Sequence, residues 1–388
     1  MPNGIRIYFF APFCLLRPTT NRIFDVRLCD ALAAHAGVTL VYPFYAMKEN
    51  IGVEEIESVY HTRNKIRFRM LATKLKESTP GIIQTLVLMT AFKLQLLKIV
   101  FSQKNLRNVL IVSRDHKLLL AAVMLKKLSF GLLRYRTAIN VHEVTPGWLG
   151  RWLYRNYDSI WTTTEAAKNA LSRMNIPQER FHSIAACQPP ETDRSKEEAR
   201  RMIGYNGDAP LVVYTGKLGK GIRELELILE AAGKLPSFYF LMTGGKEDTL
   251  SYMKKMCVEK NAANVHFSGF VKDVSSVRNF QLAADVLVSY YSAKDHKVDY
   301  NLPQKLMEYM FSGNPIVTPD FPASRPFISG DTAKIVAPDD PVALADGIRE
   351  LTENNALASK LAVNAKKVAG ELTFERQAAK LMASLPQN

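Results

Sequence analysis

Residues Asp299 to Val317 read DYNLPQKLMEYMFSGNPIV, and their punctuation places a helix directly before a buried strand. Pro303 marks the turn into the helix, where its missing N–H costs nothing. Leu306, Met307, Met310 and Phe311 make most of the helix surface apolar, and Gly313 stops it. Pro315–Thr318 then reads as a strand. Helix, glycine and apolar strand in succession are the working parts of a doubly wound α/β domain. Glu308 stands inside this helix. A helix glutamate is ordinarily solvated, but the apolar neighbours leave it little polar face. A carboxylate there can accept two hydrogen bonds from a ribose diol. The backbone N–H groups of Asn301 and Leu302, just before the helix, can face phosphate oxygens.

The same pattern extends outward in both directions. Leu211–Thr215 (LVVYT), Phe238–Thr243 (FYFLMT), Val265–Phe267 and Ala284–Tyr290 read as strands. Ile222–Gly233 and Val274–Leu282 read as helices between them, and Pro341–Leu351 and Ala356–Ala369 as closing helices. In the first half, strands are predicted over Ile5–Pro12, Val38–Tyr42, Asn108–Ser113, Thr137–His142, Ser159–Thr163 and Phe181–Ala185. Helices are predicted over Arg22–Ala36, Lys117–Leu128 and Glu165–Met174. The polar run Cys187–Ala209, with adjacent prolines and a short charged helix, reads as a connection. The expected organisation is a first domain over 1–187, a connection over 188–209, a second domain over 210–370 and a terminal helix within 371–388 packing back on the first domain. Both domains are expected to be Rossmann-like, doubly wound and parallel, facing a central cleft.

Open parallel sheets bind ligands beyond the C-terminal ends of their strands. The segment after LVVYT is Gly216-Lys217-Leu218-Gly219-Lys220-Gly221. Glycines let a backbone approach a ligand closely, and Lys217 and Lys220 add point charge for a diphosphate. FYFLMT ends at Gly244-Gly245 in the same way.

At this point the chain resembles the retaining glycosyltransferases of family 4, with the GT-B fold. The resemblance runs from about Leu211 to Leu351. It rests on the order YTGKLGKGI, FLMTGG, NVHFSGFVKDVSSVRNFQLAADVLVSYY, LPQKLMEYMFSGNPIVTPD and IVAPDDPVALADGI. By position, Lys217 and Lys220 match the basic pair that holds the donor diphosphate. Glu308 matches the second glutamate of the E-x7-E motif, which binds the nucleotide ribose. Tyr300 occupies the place of the first glutamate, with Asp299 beside it. Pro303 and Lys305 match a P-x-K-L-x-E-Y-M version of the motif. His142, ending TAINVH, resembles a histidine that lies beside the transferred sugar, and its neighbour Glu143 is placed to orient it or to bind acceptor. Thr20, Asn21 and Arg22, at the start of the first helix, are candidate acceptor ligands. The resemblance implies transfer of a sugar from a nucleotide-sugar donor with retention at the anomeric carbon. It implies no metal and no cofactor.

The chain has 388 residues, 47% hydrophobic and 23% charged, enough for two globular domains. Cys14, Cys29, Cys187 and Cys257 are scattered, which argues against a disulfide scaffold and suits a reducing cytoplasm. The N-terminus reads as a first strand rather than a signal peptide. No apolar run is long enough to predict a spanning helix; the nearest, Gly81–Phe92, is bounded by Lys76 and Lys93. Of the net charge of +14, all lies between Ser58 and His142, where sixteen Lys and Arg face two acids, Glu77 and Asp115. Arg63, Lys65, Arg67, Arg69, Lys74 and Lys76 precede the apolar stretch Gly81–Phe101, a pattern for attachment to an anionic membrane surface. Gly81–Phe101 is expected to be a core helix with a basic outer rim. Only Tyr60 and Phe68 interleave the basic run, so no nucleic-acid partner is expected. The expected acceptor is a lipid-linked or other saccharide at the cytoplasmic face of the membrane, as in polysaccharide or lipopolysaccharide assembly. The alternatives are a nucleotide-sugar epimerase on the same fold and a non-catalytic membrane-surface binding protein.

Overall fold

Short β-branched runs closed by glycine, proline or a capping side chain set where each strand stops, and thirteen strands form among the described residues. The computed structural model describes residues 4–13, 15, 20–45, 56–57, 60, 62–75, 81–142, 144–187, 194–271, 274–294 and 302–385. The chain divides into two units, one of Met1–Ala186 with Phe374–Asn388 and one of Cys187–Thr373.

The first unit holds β1 (Arg6–Phe10), β2 (Gly37–Tyr45), β3 (Arg67–Leu75), β4 (Val109–Ser113), β5 (Arg136–Val141), β6 (Ser159–Thr162) and β7 (Phe181–Ser183). They form one sheet in the order β3-β2-β1-β4-β5-β6-β7, parallel at every pairing. Alternate side chains of the central strands serve two cores, as the two-residue strand period requires. Ile7, Phe9, Leu110 and Val112 pack with the helix Thr20–Ala33 and the terminal helix Phe374–Ser384. Tyr8, Phe10, Val109 and Ile111 pack with helices Gly81–Ser102, His116–Leu128 and Gly147–Asn156. Asp158 ties β5 to its neighbour by accepting the Thr137 N–H at 2.7 Å and the Lys126 ammonium at 2.7 Å.

The second unit holds β8 (Leu211–Thr215), β9 (Tyr239–Thr243), β10 (Val265–Gly269), β11 (Val286–Val288), β12 (Ile316–Pro319) and β13 (Lys334–Val336). Their order is β10-β9-β8-β11-β12-β13, again parallel throughout. Thr215 pairs with Thr243, so β8 and β9 end level. The helix Pro341–Glu353 is capped by Asp340, whose carboxylate accepts from the N–H groups of Val342 and Ala343.

Six features depart from the expected pattern. β3 and β13 were not anticipated, nor were the helices Gly147–Asn156 and Glu247–Glu259. β3 is an edge strand whose Arg67 and Arg69 are exposed; charge on an edge deters pairing with other chains. The helix Lys196–Ile203, expected in the connection, is part of the second unit. Lys196 and Arg200 both pair with Asp285 at 2.6 Å, and Asp285 in turn accepts the Leu211 N–H at 2.7 Å. The helix Gly81–Ser102 runs on through Lys93 and Lys98, which makes it long and apolar enough to cross a membrane. Phe92, Leu96, Ile99 and Val100 hold one of its faces in the core of the first unit.

Candidate active site

Two strand ends of the second unit meet at glycines because nothing larger fits. Gly216 follows β8 and donates its N–H to the Thr243 carbonyl at 3.0 Å. Gly244 follows β9 and donates to the Gly269 carbonyl at 3.0 Å. A Cβ on Gly244, whose φ is +132°, would stand 2.0 Å from the Gly216 oxygen. A Cβ on Gly216 would stand 2.9 Å from the Lys305 ammonium nitrogen. The turn after β8 therefore brings bare backbone and a lysine to one place.

Lys305 lies in the first turn of the helix Gln304–Ser312, which Pro303 opens and Gly313 closes at φ +78°. Its ammonium lies 3.9 Å from the Tyr214 ring centroid and 5.0 Å from that of Tyr291. Burial pushes its pKa down to about 7, against the opposite pull of Glu224 and Glu308. Tyr309 of the same helix secures the strand end, since its hydroxyl accepts the Thr215 N–H at 2.7 Å.

Glu308 is half-buried, as the apolar helix required. Gln281 donates to its Oε2 at 3.0 Å, and Arg278 donates to its backbone oxygen at 2.7 Å. Arg278 also donates to Gln281 Oε1 at 2.7 Å, which completes a chain of three residues. Burial raises the Glu308 carboxyl above its ordinary range, while Gln281, Arg278 and Lys305 pull it back. In the same unit, Arg278 Nε and Nη2, Thr243 Oγ1 at the end of β9 and Ser289 Oγ just after β11 are buried without hydrogen-bond partners among the described residues. Buried polar atoms in this condition are uncommon and ask for a polar ligand or water.

The remaining predicted donor residues fall in three groups. Lys217 and Lys220 are exposed, in the segment that leaves Gly216, and Leu218 between them is buried. Leu302 is buried. Asn301, Asp299 and Tyr300 lie outside the described residues. Arg278, Gln281, Tyr214 and Tyr309 were not foreseen. In sequence they read as polar or aromatic positions of core-facing elements, with no motif to mark them.

In the first unit, His142 follows β5, and its ring meets Phe24 edge-on at 5.3 Å. Its Nε2 is buried without a hydrogen-bond partner among the described residues. Burial and the neighbouring Arg114 hold its pKa well below the usual value, so the ring is neutral at physiological pH. Arg114 follows β4 and lies 3.5 Å from the carboxylate of Asp25, a fully buried residue of the first helix. Burial raises Asp25 to about 7 despite that arginine. Pro12, Phe13, Arg114, His116, Lys117 and His142 line a cavity of about 560 Å³ with Leu120, Leu149 and Leu153. Arg22 lies near this group, its guanidinium 5.6 Å from the Phe13 ring centroid. Thr20 and Asn21 open the first helix, but their side chains and the whole of Glu143 lie outside the described residues. Asp25, Arg114 and His116 went unforeseen because each follows or faces a strand end without a recognisable spacing.

Of the predicted membrane-surface residues, Arg63 and Lys65 are exposed beside β3, and Arg67 and Arg69 are exposed upon it. The Lys74 side chain and Lys76 lie outside the described residues. The outer face of Gly81–Ser102 is chiefly apolar and not the basic rim expected, with Leu86, Leu94 and Phe101 more than half exposed.

Residues 209–354 match the family Glycosyl transferases group 1. No curated protein matches the chain in sequence. Among solved structures, sucrose-phosphate synthase from Thermosynechococcus elongatus superposes with a TM-score of 0.76 at 16% identity, over 98% of both chains. HepE from Anabaena, solved with UDP, has a TM-score of 0.71 at 14% identity over 98% of this chain and 100% of its own. A glycosyltransferase from Rickettsia africae has a TM-score of 0.70 at 13% identity over 98% of this chain and 97% of its own. Residues 209–354 of the second unit are thus similar to the Glycosyl transferases group 1 family, within a chain that has the GT-B fold.

Proposed function

We propose that the protein is a glycosyltransferase that moves a sugar from a nucleotide-sugar donor to a lipid-linked saccharide or polysaccharide precursor, with retention at the anomeric carbon. One observation carries this reading: the Lys305 ammonium against Gly216 and the Glu308 carboxyl on the same helix, held by Gln281. A nucleotide sugar offers the complementary groups, a diphosphate and a ribose diol. In this reading Gly216 and Gly244 admit phosphate to the backbone. Lys305, Lys217 and Lys220, with the N–H groups of Asn301 and Leu302, stabilise the charge that grows on the leaving nucleoside diphosphate. Glu308 accepts from the ribose hydroxyls.

The C1–O bond to phosphate breaks as the acceptor oxygen bonds C1 on the same face, and the departing phosphate oxygen takes the acceptor proton. The cavity of the first unit is assigned to the acceptor. Its neutral His142 suits a sugar hydroxyl, Arg114 and Lys117 suit a phosphate, and Leu120, Leu149 and Leu153 suit an apolar tail. Thr20, Asn21, Arg22 and Glu143 are assigned to the same acceptor. The protein acts in the cytoplasm at the inner face of the membrane.

A thermal-shift series against UDP-, GDP-, ADP- and dTDP-sugars tests this. HepE was solved with UDP-glucose as well as UDP, so UDP-sugars lead the series. A donor at a hundred times its dissociation constant stabilises by about 2.7 kcal/mol. Glu308→Ala and Lys217→Ala are each expected to remove the shift. Retention of the full shift in both variants would refute the site. A labelled donor that is epimerised without transfer to any lipid or saccharide would refute the reaction.

A further inference from the structure

The helices Gly81–Ser102, His116–Leu128 and Gly147–Asn156 share one core with Tyr8 and Phe10, so they form a single layer on one face of the first sheet. That layer turns an apolar surface outward. On the first helix, Leu86, Leu94, Leu97 and Phe101 fall on one stripe, opposite the buried Phe92, Leu96 and Ile99. Phe101 is 83% exposed. After the second helix, Phe130 is 94% exposed and adopts a left-handed φ of +49°, a conformation that suits few side chains other than glycine's. At the start of the third, Trp148 is 80% exposed. Thirteen of the eighteen large apolar residues found exposed lie between Met70 and Leu149.

Charge accompanies this surface. From Gly81 to Asn156 the chain has twelve Lys and Arg against two acids, Asp115 and Glu143; of the twelve, Arg114 is buried beside Asp25 and Lys126 is held by Asp158, so neither adds to the surface charge. Lys93 and Lys98 are exposed on the outward half of the first helix. Apolar side chains among basic ones suit the boundary of an anionic bilayer, where the first enter the acyl region and the second meet headgroups. A second copy of the chain fits less well, because a twofold contact would set this positive face against itself. A spanning helix fits less well too, since Phe92, Leu96, Ile99 and Val100 would have to leave the core.

We propose that this layer docks on an anionic membrane, with Leu94, Leu97, Phe101, Phe130 and Trp148 entering the interface. The docking face is therefore the helical layer and not the basic edge strand that the sequence singles out. Leu149 belongs both to this surface and to the wall of the cavity. That continuity gives the tail of a lipid-linked acceptor a path from the membrane to His142. This last step alone rests on the function proposed above.

The test uses the whole chain and vesicles of phosphatidylcholine with or without phosphatidylglycerol. Binding is expected only with phosphatidylglycerol, and is expected to weaken in high salt. Brominated lipid is expected to quench Trp148, whereas Trp161 is fully buried and out of reach. Leu94→Ser with Phe101→Ser is expected to weaken binding roughly tenfold or more, and Lys93→Glu with Lys98→Glu to abolish it. Both double variants should melt like the wild type and keep the donor-induced thermal shift, which separates this inference from the donor site. Wild-type affinity in the Leu94/Phe101 variant, an unquenched Trp148, or no vesicle binding at all would overturn it. A concentration-dependent dimer lost in that variant, without vesicle binding, would assign the face to a second copy and also overturn it.

Discussion

Donor binding should take up a proton at Lys305. Burial holds this lysine at about 7, so at pH 8 about nine in ten of the molecules carry it neutral, and at pH 6 about one in ten. A diphosphate brought against Gly216 favours the charged form and restores its pKa. Binding at pH 8 should then consume about 0.9 proton per site, falling to about 0.1 at pH 6. By linkage, affinity should be about tenfold higher at pH 6 than at pH 8. A nucleotide sugar is the right probe, since its diphosphate has no group that titrates near neutrality. Calorimetry in two buffers of different ionisation enthalpy reads the uptake directly. Lys305→Met should bind more weakly and show no buffer dependence. Binding at pH 8 that is the same in both buffers would refute a lysine neutralised in the free protein and recharged by phosphate.

Three further outcomes follow from the geometry. Gly244→Ala should cost at least about 3 kcal/mol, measured by denaturant unfolding, because its Cβ would meet the Gly216 oxygen at 2.0 Å in a left-handed conformation. Tyr309→Phe should cost about 1–3 kcal/mol, since the buried Thr215 N–H loses its acceptor. Asp25 is raised from 3.8 to about 7 in the folded protein, so the folded state holds its proton more tightly than the unfolded chain. Stability from this group is therefore lost as pH rises from about 4 to about 7, by up to about 4 kcal/mol. Asp25→Asn should flatten that slope in urea titrations, and an unchanged slope would mean the carboxyl is ionised throughout.

Most strands were legible because both sheets are parallel and covered on both faces, which forces continuous apolar runs. Leu211–Thr215 matches β8 to the residue, and NVLIVS matches β4 within one. β3 was hidden for the opposite reason. RFRMLATKL lies at a sheet edge, where Arg67 and Arg69 can remain in water, so its charge drew attention away from its period of two. Gly147–Asn156 was obscured by Gly147 and Gly150, although its Leu153 and Tyr154 are buried.

At the candidate site, Glu308 was legible because a carboxyl on an apolar helix has to be explained. The partners that hold it were not. Arg278 and Gln281 reach it across 30 and 27 positions of sequence, through a packing of helix against helix that no local pattern encodes. The role of Lys305 was legible only through the resemblance to known transferases. Its contact with Gly216 and its lowered proton affinity come from the way β8 meets the helix. The outward apolar face of Gly81–Ser102 could not be told from a core face, since periodicity shows that a helix has sides and not which side is covered.

The central claim is that a nucleotide diphosphate lies across Gly216 and Lys305 with its ribose on Glu308. A crystal structure of the protein with a bound nucleotide sugar tests it most directly. Ribose hydroxyls are expected within hydrogen-bond distance of the Glu308 carboxylate, with phosphate oxygens at the Gly216 backbone and the Lys305 ammonium. A nucleotide bound elsewhere on the second unit, with Glu308 still held by Gln281 and no ribose upon it, would contradict it.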